Sequence, residues 1–153
     1  MEEKKYQIIL YGATGFTGKL CAEYFHSNYP DLNWAIAGRN KEKLENLKIE
    51  LNLDCDIFIA DSEDYEAIQN FVKQTKVVLS AAGPFARYST KVVEACVECK
   101  THYTDITGEN HWVKGLIDRF HEKAALDGTR IVPSCGYDSI PSDLGVYFSV
   151  TRS

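Results

Sequence analysis

Three glycines, Gly12, Gly15 and Gly18, stand at three-residue intervals directly behind an apolar run, Ile8-Ile9-Leu10, and directly ahead of a helical pattern. The chemistry such a spacing supports is that of bare backbone. Gly12 lets the chain turn sharply off a buried strand, and Gly15 keeps side-chain bulk away from an approaching anion. Gly18 lets the next helix pack on the strand it has just left. The first turn of that helix leaves N–H groups unpaired and carries a partial positive charge, so Ala13, Thr14, Phe16 and Thr17 complete a cradle for a diphosphate. Strand, glycine turn and helix in this order predict a dinucleotide site, the plain alternative being a structural turn.

A dinucleotide in such a sheet lies across the carboxyl ends of the strands, which singles out the residues that follow each strand. After the second strand, Gly38-Arg39-Asn40 occupies the place where an NAD site carries Asp or Glu, and no acid is present. Arg39 can hold a 2′-phosphate and lay its flat guanidinium over adenine, so NADP(H) is expected in preference to NAD(H). The plain alternatives are a solvated Arg39 and an Asn40 that only caps a helix. After the third strand, Asp61 and Ser62 suit the adenine edge, or else cap the next helix. After the fourth, Ala82, Gly83 and Pro84 are small enough for backbone to lie against ribose and diphosphate, or they form a mere turn.

The elements that must position these residues alternate strictly. Helical periodicity over residues 14–27 places Leu20, Cys21, Tyr24 and Phe25 on one face. A strand at 32–38, a helix from Lys41 with Leu44, Leu47 and Leu51, and a strand at 55–60 follow. Next come a helix at 65–74, a strand at 76–82, a helix at 90–100 and a short strand at 102–106. A long amphipathic helix carries Trp112, Val113, Leu116, Ile117, Phe120 and Ala124 inward until Gly128 stops it. A strand at 129–134 and a Gly/Pro-punctuated loop lead to a last helix at about Ser142. Alternating strands and helices with apolar strands predict an α/β fold. The expected form is a doubly wound parallel sheet, a Rossmann fold of order 3-2-1-4-5-6, with residues 1–153 as one domain.

Composition narrows the class. A net charge of −5 over 153 residues argues against a nucleic-acid partner, and no apolar run is of membrane-spanning length. With no leader-like start and an odd number of cysteines, five, an intracellular, cytoplasmic and reduced protein is the simplest account. Cys96-x-x-Cys99 falls inside a helix, and the four histidines lack ligand spacing, so no metal is expected. There is no Tyr-x-x-x-Lys pair for proton transfer and no triphosphate-binding loop.

Read together, YGATGFTGKL, Gly38-Arg39, SAAGPF with Tyr88, HYTDITGE and CGYDSIPSDLG resemble the saccharopine dehydrogenase-like oxidoreductases. The resemblance implies a nicotinamide-binding Rossmann domain followed by an α+β domain, so this chain is expected to be a fragment of a longer oxidoreductase, inactive alone. It departs from the family pattern at Ser89-Thr90, where Gly-Glu is usual. Carried over by position, Gly12, Gly15 and Gly18 hold the diphosphate, Arg39 the adenosine end, and Gly83 and Pro84 the nicotinamide half. Tyr88, Asp105 and Asp138 follow strand ends and become candidates for orienting substrate or relaying a proton. Their plain alternatives are a half-buried tyrosine and two turn-capping acids. The activity implied is NADP(H)-dependent hydride transfer to a C=N, C=O or C=C bond. The alternative is a catalytically inactive dinucleotide-binding regulatory or scaffold protein. Arg87 is the only arginine expected near the nicotinamide end, which suits a substrate with several carboxylates poorly and leaves a small or lipid-like molecule open. A homodimer, and association with a membrane or organelle, are left to the missing part.

Overall fold

Strand β1 (Tyr6–Tyr11) is the axis of the sheet in a computed structural model that describes residues 4–152. On one side it pairs in parallel with β2 (Trp34–Gly38), from Ile8 opposite Trp34 to Tyr11 opposite Ala37. On the other it pairs with β4 (Thr75–Ser80), from Tyr6 opposite Thr75 to Tyr11 opposite Ser80. β3 (Asp56–Ile59) extends the sheet beyond β2, and β5 (His102–Asp105) and β6 (Ile131–Val132) extend it beyond β4. Every pairing is parallel and the order is β3-β2-β1-β4-β5-β6, as the alternation predicts. The reversal of winding falls between β1 and β4, where such sheets take their ligands.

Side-chain alternation in β1 explains why both faces are covered. Leu10 points to one face, with Ala13, Ala22, Trp34, Ile36, Leu44 and Leu47, beneath α1 (Phe16–Asn28) and α2 (Lys41–Glu50). Ile9 and Tyr11 point to the other, with Ile68, Phe71, Val92, Val93 and Trp112. That core lies under α3 (Tyr65–Val72), α5 (Thr90–Glu98) and α6 (Asn110–Asp127). Gly128 ends α6 at φ +69°, a left-handed cap that glycine adopts without penalty.

Several details differ from the sequence reading, each for a local reason. The inner face of α1 is made by Gly18 and Ala22 with the partly buried Cys21 and Phe25 beside them, while Leu20 and Tyr24 are exposed, because the helix sits close to β1 at Gly18. A short helix, α4 (Phe85–Tyr88), intervenes before α5. β6 is two residues long because Pro133 has no N–H to donate and Ser134 turns at φ +62°. The cap of α3 is Asp64, which accepts the Ala67 N–H at 3.0 Å, and not Asp61 or Ser62. The last helix, α7 (Ile140–Thr151), buries none of its residues.

Candidate functional site

The glycine turn is held by contacts that only missing side chains allow. Gly12 adopts φ +81°, and a methyl there would lie 2.8 Å from the Ala82 backbone nitrogen, so the turns after β1 and β4 touch. A methyl on Gly18 would lie 2.2 Å from the Gly12 carbonyl oxygen. Gly15 is different. Its φ of −77° suits any residue, and the nearest atom to a methyl would be 3.4 Å away. Among the described residues, nothing requires a glycine at position 15. α1 begins beside it with no side-chain cap and no acid in its first turn, whereas α2 and α3 have both. Its first N–H groups stay available to an anion.

A groove of about 200 Å³ opens on this turn, lined by Tyr11, Gly12, Thr14, Gly15, Gly38, Arg39, Ser62, Ala81, Ala82, Gly83 and Tyr88. It brings together residues that follow β1, β2, β3 and β4. Ala13 is fully buried and Gly18 is buried against it, so both form the floor of the turn. Phe16 and Thr17 open α1 above the groove, with the Phe16 ring 85% exposed. Asn40 caps α2 through the Lys43 N–H at 2.9 Å. Asp61 is exposed and accepts the Glu63 N–H, and Pro84 leads into α4. Tyr11 escaped the sequence reading, although its place as the last residue of β1 was the signal. Its ring stacks on Phe71 at 5.7 Å, and burial, reinforced by the charge of Asp61, pushes its phenol up to about 12.

The two acidic positions of HYTDITGE act as brackets. The carboxylate of Asp105 is buried and accepts hydrogen bonds from Tyr103 Oη (2.8 Å), the Thr107 N–H (3.0 Å) and the Ser134 N–H (2.9 Å). Glu109 accepts the Phe85 N–H at 2.7 Å and the Ala86 N–H at 3.1 Å, capping α4 from a distance in sequence. Burial drives the Tyr103 phenol well above its usual range, so it stays a donor to Asp105. Ser89, where the chain departs from the family pattern, bonds to Ser80 Oγ at 2.9 Å, and Thr90 accepts the Trp112 indole N–H. Asp105 and Glu109 thereby tie the segments around Thr107, Ser134 and α4 to one another. Asp138 lies outside this network, exposed in the turn before α7.

Residues 8–132 match the family model described as the saccharopine dehydrogenase NADP binding domain. The chain belongs to this family. Trans-acting enoyl reductases of Mycobacterium tuberculosis and Mycobacterium leprae are 40% and 39% identical to it, over 99% and 95% of the chain. The chain spans only 37% and 36% of their lengths. Two solved structures share the fold. One is apo saccharopine dehydrogenase (L-Glu forming) of Saccharomyces cerevisiae, with a TM-score of 0.72 at 19% identity, covering 88% of this chain and 28% of that one. The other is Citrobacter sp. triphenylmethane reductase complexed with NADP(H), with a TM-score of 0.64 at 17% identity, covering 83% and 48%. As a saccharopine dehydrogenase NADP-binding domain, the chain takes NADP(H), in agreement with the missing acid after β2. It is a dinucleotide-binding domain, and the non-catalytic alternative gains no support from these relatives.

Away from the glycine turn, this saccharopine dehydrogenase-type domain has a second hollow of another character. A larger hollow of about 330 Å³ between α6 and β6 is lined mainly by apolar side chains such as Leu116, Phe120 and Ile131. Among the described residues no group of three or more His, Cys, Asp or Glu could hold a metal, and no helix is long and apolar enough to cross a membrane.

Proposed function

We propose that this chain is the cofactor-binding part of a longer NADP(H)-dependent oxidoreductase that transfers hydride to an electrophilic carbon in a C=C, C=N or C=O bond. The observation that carries this reading is Gly15, bare without internal need beside an uncapped helix start. In this reading the N–H groups opening α1 hold the diphosphate over the three glycines. Arg39 takes the 2′-phosphate, Asp61 and Ser62 meet the adenine edge, and Ala82, Gly83 and Pro84 lie along the nicotinamide half. The bound dihydronicotinamide supplies the hydride, while the chain orients it and keeps water away.

The name borne by the mycobacterial relatives favours an enoyl C=C as acceptor, with a lipid-like acyl group behind it. Asp105 has its carboxylate committed to three donors and serves position. Asp138, exposed, is left as the carboxylate free to meet substrate or pass a proton. A substrate domain comes from the remainder of the longer protein. Calorimetric titration of the protein with NADPH and NADH tests the reading. It predicts NADPH tighter by at least about tenfold, the worth of one charge-assisted contact. Tighter NADH, or no heat with either, refutes it.

A further inference from the structure

Helix α4 holds Tyr88 at the rim of the glycine-turn groove, and Arg39 meets it from beyond β2. The Arg39 guanidinium carbon lies 5.9 Å from the centre of the Tyr88 ring. Arg87, next to Tyr88 on α4, lies 5.2 Å from the same ring. Neither arginine pairs with a carboxylate among the described residues, and the Tyr88 hydroxyl bonds to no protein group there. The ring is held by its face. Its carrier is fixed as well: Glu109 caps α4 through two N–H groups, and Phe85 stacks on Trp112 at 6.2 Å.

We infer that Tyr88 and Arg39 are two jaws that take the adenine ring between them. Tyr88 is then a positioning residue for the cofactor, acting through its ring and not through its hydroxyl. This deepens the NADP(H) reading above and rests on it. Flat groups in contact sit about 3.5–4 Å apart, so a base between a guanidinium and a phenol ring needs about 7–8 Å. The present gap of 5.9 Å is short of that by only an ångström or two. Arg39 is exposed and can open it by changing rotamer. The inserted base then gains a cation on one face and an aromatic ring on the other. Position agrees with this assignment: Arg39 follows β2, on the adenosine side of β1, and a ring touching it is remote from a nicotinamide over β4 and β5. The sequence reading put Tyr88 with the substrate candidates because helix α4, which returns it toward Arg39, was not foreseen.

The test is calorimetry with 5′-AMP, NADH and NADPH on the unaltered protein, Tyr88→Phe and Tyr88→Leu. Tyr88→Phe keeps every affinity within about twofold, while Tyr88→Leu weakens all three ligands by about 5- to 100-fold, the worth of one stacked base. Wild-type affinity in Tyr88→Leu overturns the inference, and so does a loss confined to the two dinucleotides, which would put the ring at the nicotinamide half. Equal losses in Tyr88→Phe and Tyr88→Leu overturn it too, by pointing to the hydroxyl. Should Tyr88→Leu fail to fold, Tyr88→Trp replaces it and must bind at least as tightly as the unaltered protein; weaker binding overturns the inference. An unaltered protein that binds no dinucleotide removes the underlying NADP(H) reading itself.

Discussion

Alanine at Gly15 and alanine at Gly18 separate binding from packing within one turn. At Gly18 the added methyl would stand 2.2 Å from the Gly12 oxygen and 2.8 Å from the Ala13 Cα, both backbone atoms. Contact distance is about 3.5–4 Å, so α1 has to move off β1 by more than an ångström. Overpacking of this kind costs about 1–3 kcal/mol, and backbone neighbours that cannot swing aside put Gly18→Ala at the upper end. Replacing glycine inside a helix returns up to about 1 kcal/mol. The net loss is about 2 kcal/mol, a fall in Tm of about 4–8 °C for a domain of this size. At Gly15 the nearest atom is 3.4 Å away and the backbone is ordinary, so Gly15→Ala costs less than about 1 kcal/mol of stability. Its methyl, though, faces the diphosphate, and NADPH affinity falls by at least about tenfold as one charge-assisted contact is lost. Urea unfolding and NADPH titration on both variants decide the matter. Wild-type affinity in Gly15→Ala, or wild-type stability in Gly18→Ala, refutes the reasoning.

Three further outcomes follow from the same geometry. Arg39→Gln weakens NADPH by about 10- to 100-fold more than it weakens NADH, which loses only the cation stacked on adenine, measured by paired titrations; equal losses would mean that Arg39 serves only the part the two cofactors share. Glu109→Gln turns an amide NH₂ toward one of the two N–H groups that cap α4 and costs about 1–3 kcal/mol in urea unfolding; an unchanged midpoint would show that the cap contributes nothing. Tyr11 bears on alkaline stability. Its phenol titrates at about 12 in the fold and near 10 when unfolded, so below pH 10 it contributes no slope. Between pH 10 and 12 the unfolded chain ionises first and stability drains away, by about 2–3 kcal/mol at pH 12. Tyr11→Phe therefore shows a shallower alkaline limb, and superimposable limbs would contradict the assignment.

What the sequence made legible was whatever depends on backbone and periodicity. Gly12 and Gly18 have the steric roles their spacing predicts, and the strand order follows from alternation and handedness. What stayed hidden depends on contacts between residues far apart in the chain. Nothing near Phe85 in sequence announces a helix, because the carboxylate that caps it, Glu109, arrives 24 residues later. The motif alone does not show that Asp105 is buried among three donors, one of them on Ser134. Leu20 and Tyr24 obey helical spacing, yet the close approach at Gly18 rotates the small residues inward and leaves both outside. Arg39 could be expected near the glycine turn from its place after the second strand, but its meeting with Tyr88 needed the fold.

The most direct measurement is a crystal structure of the protein with NADPH bound. The diphosphate is expected over Gly12, Gly15 and the start of α1, with the 2′-phosphate against Arg39. A dinucleotide seated anywhere else, such as the apolar hollow between α6 and β6, or one whose 2′-phosphate points away from Arg39, would contradict it.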